Sequence, residues 1–405
     1  MSTAATTPGV EQNPTFPVMD TLRAVAALAV LTTHVSFQTG DYVRHGIIGA
    51  LLSRLDIGVA VFFVLSGFLL SRPYLARAMV GAAHPPTGRY YWKRFIRIFP
   101  VYAVTVVLAF VVIPENHGAG VLAWLQALTL TDVFASGRLP QGLTQMWSLS
   151  VEVTFYLVLP LLMALLLGRG RPRAWRIVAV LGAGTLLNCW WNLSLAASID
   201  RITSGTPLLW LPAHLTWFLV GIALAAAHVF AESGSRSRAV SALVVLGRTP
   251  GACWTAAAGV LLVAATPLGG PILLLVATPT QSLVKHLSYA LIAGLVVLTG
   301  VFATRGGTYA RVMSLPWLRH LGHISYSVFC IHLIVLQVVR EVVNHQLFTG
   351  HWFEIWALTI AVTLVAAEIL YRFVERPCLR LKNLGRSKAR VDDRAQVETS
   401  TAITK

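Results

Sequence analysis

Charge is what this sequence has least of. Only 12% of its 405 residues are Asp, Glu, Lys or Arg, against roughly a quarter in soluble domains. Together with a mean hydropathy of +0.69, that scarcity excludes an ordinary soluble domain and indicates an integral membrane protein. Acidic residues are the scarcer sign, 16 against 32 basic ones. The +16 balance points to basic cytoplasmic loops rather than to nucleic acid. Cysteine is nearly absent as well. Cys189, Cys253, Cys330 and Cys378 are scattered, and no pair has zinc or redox spacing, so no metal site is expected. The first sixteen residues lack the basic n-region of a signal peptide. No internal repeat suggests an inverted-repeat transporter.

What is present is a succession of apolar runs of about twenty residues, the length that spans a bilayer. They cover 18–38, 57–76, 95–113, 146–168, 174–196, 207–230, 253–277, 286–304, 321–343 and 353–374. Pro267 and Gly269–Gly270–Pro271 interrupt the seventh, which allows a shorter helix and a turn there. The expected fold is an all-α polytopic transmembrane helix bundle of about ten spans. A polar tail (1–16) precedes the membrane domain (17–377), and a basic tail (378–405) follows it; both tails are expected to be disordered. With both termini placed in the cytoplasm, the inside segments hold 25 of the 32 Lys and Arg, and the outside segments hold six. That bias supports an even number of spans with both ends inside.

The first run, MDTLRAVAALAVLTTHVSF, carries Asp20, Arg23 and His34. Ionisable groups within a span are costly and mark function by default. Eleven positions separate Arg23 from His34, about three turns, so they share a helix face roughly 16 Å apart. Asp20 lies one turn before Arg23 and can pair with it. In the second run, Ser66–Gly67 breaks an apolar stretch; small residues there admit a neighbouring helix or a thin acyl chain. RYYWKRFIRIFP places Arg89, Lys93 and Arg97 every four residues. That stripe is a topology anchor or, with Arg94 and the nearby aromatics, an anion site for a phosphorylated cofactor.

In QMWSLSVEVTFYLVLP, Trp147, Ser148, Glu152 and Tyr156 share one side. A carboxylate at that depth needs a partner, and His34 or an arginine is expected to supply it. His214 and His332 read as packed histidines; His320 and His323 have the helical spacing of a metal pair, but with no carboxylate or third histidine near them in sequence no metal site is expected. Glu375–Arg376–Pro377 reads as a helix stop whose carboxylate pairs with a basic loop.

Six segments in order resemble the acyltransferase-3 family of polytopic membrane O-acyltransferases. They are DTLRAVAALAVLTTH, GVAVFFVLSGFLLS, YWKRFIRIFPVY, MWSLSVEVTFYLVLP, HISYSVFCIH and YRFVERP, running from Asp20 to Pro377. The most specific feature is the arginine separated by ten residues from a histidine, Arg23 and His34. One departure is Ala24, where the family carries glycine; it bears on helix packing more than on chemistry.

The resemblance implies a multi-pass protein of the bacterial plasma membrane. It would move a short acyl group, such as acetyl, from acyl-CoA to a hydroxyl of a sugar, glycolipid, polysaccharide or macrolide. Acyl-CoA would be a co-substrate, with no tightly bound cofactor. The expected partners are the bilayer, acyl-CoA, a hydroxylated acceptor and a second copy of the chain; nucleic acid is not among them. The chain matches a stand-alone transmembrane type.

Acyl transfer to an alcohol needs a base, and neutral imidazole suits it. His34 is assigned that role, with Glu152 orienting its ring and Arg23 stabilising the oxyanion or positioning substrate. Arg89, Lys93, Arg94 and Arg97 would hold the CoA phosphates, near Ser66 and Gly67. Asp20, Trp147, Ser148 and Tyr156 would contact the acceptor. The rival class is a non-catalytic transporter or flippase whose intramembrane charges line a solute pathway.

Overall fold

The computed structural model describes residues 14–383, apart from 169, 273–276 and 305. Among them there are helices and turns but no strands, as the apolar runs predict. Nine helices are long and apolar enough to cross a membrane. We label the crossings α1 (Pro17–Thr39), α2 (Gly58–Met79), α3 (Thr87–Val112), α4 (Trp147–Leu167), α5 (Ala174–Trp190), α6 (Leu211–Glu232), α7 (Pro250–Ala264), α8 (Pro279–Val301), α9 (Pro316–Val342) and α10 (Trp352–Leu370).

The helix α7 is not among the nine. It has 15 residues, about 22 Å at 1.5 Å per residue, short of a roughly 30 Å hydrocarbon core. It nevertheless connects the two faces. Just before it, Gly247 packs against Leu298 and Phe302 at the end of α8. Beyond it, Pro267 O accepts a bond from Gln281 at the start of α8, and Gly270 O accepts one from Arg54. The stretch 247–270 therefore runs antiparallel to α8 over its full height, as a short helix and a turn. The chain makes ten traversals, so both ends of its described part lie on one face. Contacts agree: Asp20 on α1 meets Arg319 at the start of α9, and His320 meets Glu368 at the end of α10. We call this face inner, following the charge bias.

The helix α1 sits in the middle, packed on α2, α8, α9 and α10. Its closest approach is to α9, where a Cβ on Gly322 would fall 1.9 Å from Asp20 O. Only a residue without a side chain lets the two backbones cross there. The same holds for α2 on α6, where Gly67 faces Phe218 O at 2.2 Å and Gly221 faces Val64 O at 2.1 Å from their would-be Cβ atoms. Gly67 thus serves helix packing and turns away from any acyl chain. Among the nine long helices, α5 and α10 are the least enclosed, lying at the rim of the bundle.

Polar staples fix the bundle at both faces. At the inner face Arg72 of α2 bonds Glu232 of α6 at 2.7 Å. At the outer face Lys285 of α8 bonds Asp56 at 2.7 Å, and Tyr289 donates to the same carboxylate. The expected helix stop at Glu375–Arg376–Pro377 does not form. A π-helical turn at Tyr371–Glu375 leads without a break into the helix Arg376–Arg380. Proline is tolerated there because it falls in the first turn of that segment. Residues 1–13 and 384–405, where most of both tails falls, lie outside the described residues.

The orientation has a direct test. In a cysteine-free background, Gly118→Cys beyond α3 should react with an impermeant maleimide on intact cells. Ala82→Cys between α2 and α3 should react only after permeabilisation. The reverse pattern would invert the bundle in the membrane.

Candidate active site

The depth of the site follows from how α4 begins. A 3₁₀ turn, Thr144–Met146, precedes it. Within that turn the buried Gln145 donates to Cys330 O of α9 at 3.0 Å. The start of α4 is therefore already level with the middle of α9. Glu152, seven residues further on, lies about 10 Å deeper still.

At that depth Glu152 Oε1 accepts from Ser66 Oγ of α2 at 2.5 Å and from Tyr156 Oη at 2.6 Å. Its Oε2 takes no hydrogen bond among the described residues. The expected contact with His34 is not formed. His34 stands nearer the outer face, and the depth counted from the end of the apolar run had ignored the sunken start of α4.

Glu152 lines a cavity of about 120 Å³ with Ser66, Ser148, Tyr156 and three arginines, Arg23, Arg94 and Arg97. Its apolar wall includes Phe62, Phe63, Leu149 and Phe329. A second cavity at the inner face, lined by Arg77, Arg89, Lys93 and Arg94, shares Leu69, Leu70 and Arg94 with the first. The two adjoin at these three residues, with Arg94 on the boundary between the inner-face cavity and that of Glu152. The guanidinium of Arg94 stands over the Tyr156 ring, 5.8 Å from its centroid. Its Nε is buried and has no hydrogen-bond partner among the described residues.

The cationic stripe therefore divides. Arg89, Lys93 and Arg94 line the inner-face cavity. Arg97 reaches the deeper cavity but is committed to Glu375 of the last helix at 2.5 Å. The second oxygen of Glu375, only 1% exposed, accepts from Ser327 at 2.8 Å. The basic segment is thus the partner of the YRFVERP carboxylate, as its reading had it.

The remaining predicted residues separate as well. Arg23 lines the cavity and pairs with Asp20 at 3.1 Å. Asp20 itself points to the inner rim, where Arg319 lies at 3.3 Å and His323 at 3.6 Å. It is an anchor between α1 and α9, not a wall of the cavity. Trp147 also leaves the cavity and packs on His214, ring centroids 4.9 Å apart.

The partner of His34 is one that sequence reasoning took for a packed residue. His332 of α9 places Nε2 3.1 Å from His34 Nδ1. The helices α1 and α9 run parallel and are pinned by Asp20–Arg319. His34 lies fourteen residues from that pin and His332 thirteen, each about 20 Å up its helix. Equal rise from a shared pin is the signal that could have found the pair, and it exists only once the pin is known. The Phe329 ring lines the cavity and stands 5.9 Å from the His332 ring. Phe329 thus borders both the cavity and the histidine pair.

The comparisons with known proteins follow this geometry. A family model described as an acyltransferase domain matches residues 16–372. "Acyltransferase MdmB" of Streptomyces mycarofaciens is 27% identical, covering 95% of this chain and 96% of its own. "Nodulation protein 10" of Rhizobium leguminosarum bv. viciae is 24% identical, covering 90% of this chain and 93% of its own. "Peptidoglycan O-acetyltransferase OatA" of Listeria monocytogenes is 24% identical over 89% of this chain, but the match spans only 55% of that protein. No solved structure matches.

The burial of Glu375 gives a stability test. Glu375→Ala strands Arg97 and Ser327, and losing one partner of a buried pair costs about 3 kcal/mol or more. The melting temperature in detergent should fall by about 3 °C or more. Glu368→Ala, whose partners Arg372 and His320 are exposed, should shift it little. Equal effects would remove the buried pair from the list of structural staples.

Proposed function

The chain belongs to the acyltransferase-3 family, and from that premise we propose that it transfers an acyl group from acyl-CoA to a hydroxylated acceptor, with His34 as general base. The observation that carries the reading is a cationic cavity at the inner face that adjoins the chamber of Glu152 and shares Arg94 with it. A donor with a phosphate-rich end and a long thin acyl-bearing arm matches it in both charge and shape. Arg89, Lys93 and Arg94 take the phosphates. Charge-assisted bonds to guanidinium are strong, and the unpartnered Nε of Arg94 is a donor without an intramolecular use.

The thioester arm then runs along Ser66 and Glu152, with Arg23 as a positioning cation. The acyl end lies against Phe62 and Phe329, the last rings before the histidines. There His34 takes the hydroxyl proton as the acceptor oxygen attacks the thioester carbon. The C–S bond breaks as the new C–O bond is completed, and the thiolate leaves with the proton. Arg23 lies too deep for the oxyanion at His34, so positioning is its role. The acceptor is a sugar, glycolipid, polysaccharide or macrolide hydroxyl, reached from the outer half of the bundle. Two of the relatives, an acyltransferase and an O-acetyltransferase by name, fit this chemistry.

Purified protein incubated with labelled acetyl-CoA and a panel of hydroxylated acceptors tests the reading. The expected outcome is acylated acceptor with stoichiometric free CoA. Transport of either compound into proteoliposomes without ester formation would favour the transporter class instead. His34→Ala should lower kcat at least about a hundredfold, the range of a positioned base, while the KM for acyl-CoA stays near its normal value. Arg94→Gln should do the opposite, raising that KM with little change in kcat. Near-native turnover of monodisperse His34→Ala protein would refute the base assignment.

A further inference from the structure

Two imidazoles meet between α1 and α9, and backbone oxygens decide which nitrogens carry their protons. His34 Nδ1 lies 2.8 Å from Val30 O. His332 Nδ1 lies 2.8 Å from Phe329 O and 3.2 Å from Val328 O. A carbonyl oxygen only accepts. In the neutral rings both Nδ1 atoms therefore carry hydrogen; the other tautomers would set lone pair against lone pair. His332 Nε2 is then an acceptor, and it sits 3.1 Å from His34 Nδ1. The His34 N–H is shared between Val30 O and His332 Nε2. One basic nitrogen of the pair remains uncommitted, His34 Nε2.

We propose that His332 is a positioning residue for the transfer reaction, fixing His34 in the tautomer whose Nε2 is basic and accepting the Nδ1–H bond that strengthens when His34 becomes imidazolium. The proposal rests on His34 being the base. No bond to substrate is made by His332. The proton moves from the acceptor hydroxyl to His34 Nε2 and from there to the departing thiolate. His332 keeps its own proton on Nδ1, donated to Phe329 O, throughout.

The arrangement performs the task that a carboxylate performs in a serine-hydrolase triad, with a neutral partner. The environment explains the difference. His332 is 1% exposed and the rings around the pair are aromatic, Phe37 beside His34 and Phe329 beside His332. A permanent anion there would carry a desolvation cost of several kcal/mol. A neutral acceptor carries none in the resting state and still supports the cation that forms transiently. Glu152, deeper and held by Ser66 and Tyr156, is not available for this role.

The test compares two substitutions with different hydrogen-bonding capacity. His332→Leu removes the acceptor and should lower kcat by about ten- to a hundredfold, the worth of a hydrogen bond to a charged group. The acyl-CoA KM should be unchanged, because the donor phosphates bind far below. His332→Gln places an amide oxygen where Nε2 was and should recover at least about tenfold of that loss. A merely space-filling histidine predicts the reverse order, with leucine the better tolerated of the two. The wild-type enzyme supplies an independent reading. Its ¹⁵N-histidine spectrum, assigned to His34 by comparison with His34→Gln, should show a protonated Nδ1 and an unprotonated Nε2. An Nε2–H tautomer in wild-type protein overturns the proposal whether or not either variant folds. If wild-type protein makes no ester at all, the function fails; if it does and His332→Leu keeps kcat within about twofold, this inference alone fails.

Discussion

An ionisable side chain inside a bilayer has to be answered from inside the protein, because lipid offers it nothing. Most of this bundle can be derived from that constraint. Arg72 is answered by Glu232 across α2 and α6, Asp20 by Arg319 across α1 and α9, Arg97 by Glu375 across α3 and the last helix, and Asp56 by Lys285 at the outer face. Each pair joins helices far apart in sequence. Apolar surfaces against lipid gain little by associating with one another, so the polar pairs, with the glycine crossings at Gly67 and Gly322, fix which helices are neighbours and at what height. The charged pairs sit toward the faces, where desolvation is partial. Between them the interior keeps a cavity with its own cations.

The height of each residue is the quantity on which the site depends. Counting from the end of an apolar run places Glu152 beside His34. The sunken turn at Thr144–Met146, held by Gln145 on Cys330 O, carries Glu152 about 10 Å further in. There it meets Ser66 and Tyr156 and shares a cavity with Arg23. The same reasoning explains why His332 fills the place expected for Glu152. Fixed by the Asp20–Arg319 pin, the two parallel helices bring His34 and His332 to one level.

How much of this was legible beforehand depended on whether the signal was local. Periodicity and spacing lie within one helix, so the shared face of Arg23 and His34, the Asp20–Arg23 pair and the side holding Ser148, Glu152 and Tyr156 were readable. The broken seventh run was readable too, since Pro267 and the glycines announce a short helix and a turn. Pairings between helices were not. Nothing in HISYSVFCIH marks His332 as different in role from His323, because its partner is 298 positions away. Nor does Ser66–Gly67 reveal that its two residues face opposite ways, the serine to the cavity and the glycine to Phe218. The expected stop at Pro377 failed for a related reason: proline halts a helix only where its missing donor matters, and a π-helical turn had already prepared a new first turn.

One helix therefore carries both halves of the proposed chemistry. On α1, Arg23 lines the chamber of Glu152 and His34 belongs to the pair proposed to handle a proton, with about 16 Å of helix between them. A single centre would force a bad compromise: a neutral imidazole close to three guanidinium groups loses basicity, and a phosphate-binding site close to an apolar acceptor pocket is desolvated at high cost. Separation along a rigid axis removes the conflict, provided the donor can bridge it. A thioester on a long flexible arm meets that requirement and a compact acyl donor does not. On the proposed reading the phosphates stay with Arg89, Lys93 and Arg94 near the inner face, the arm passes Arg23, and the reactive carbon is held at His34, each where its chemistry is favourable.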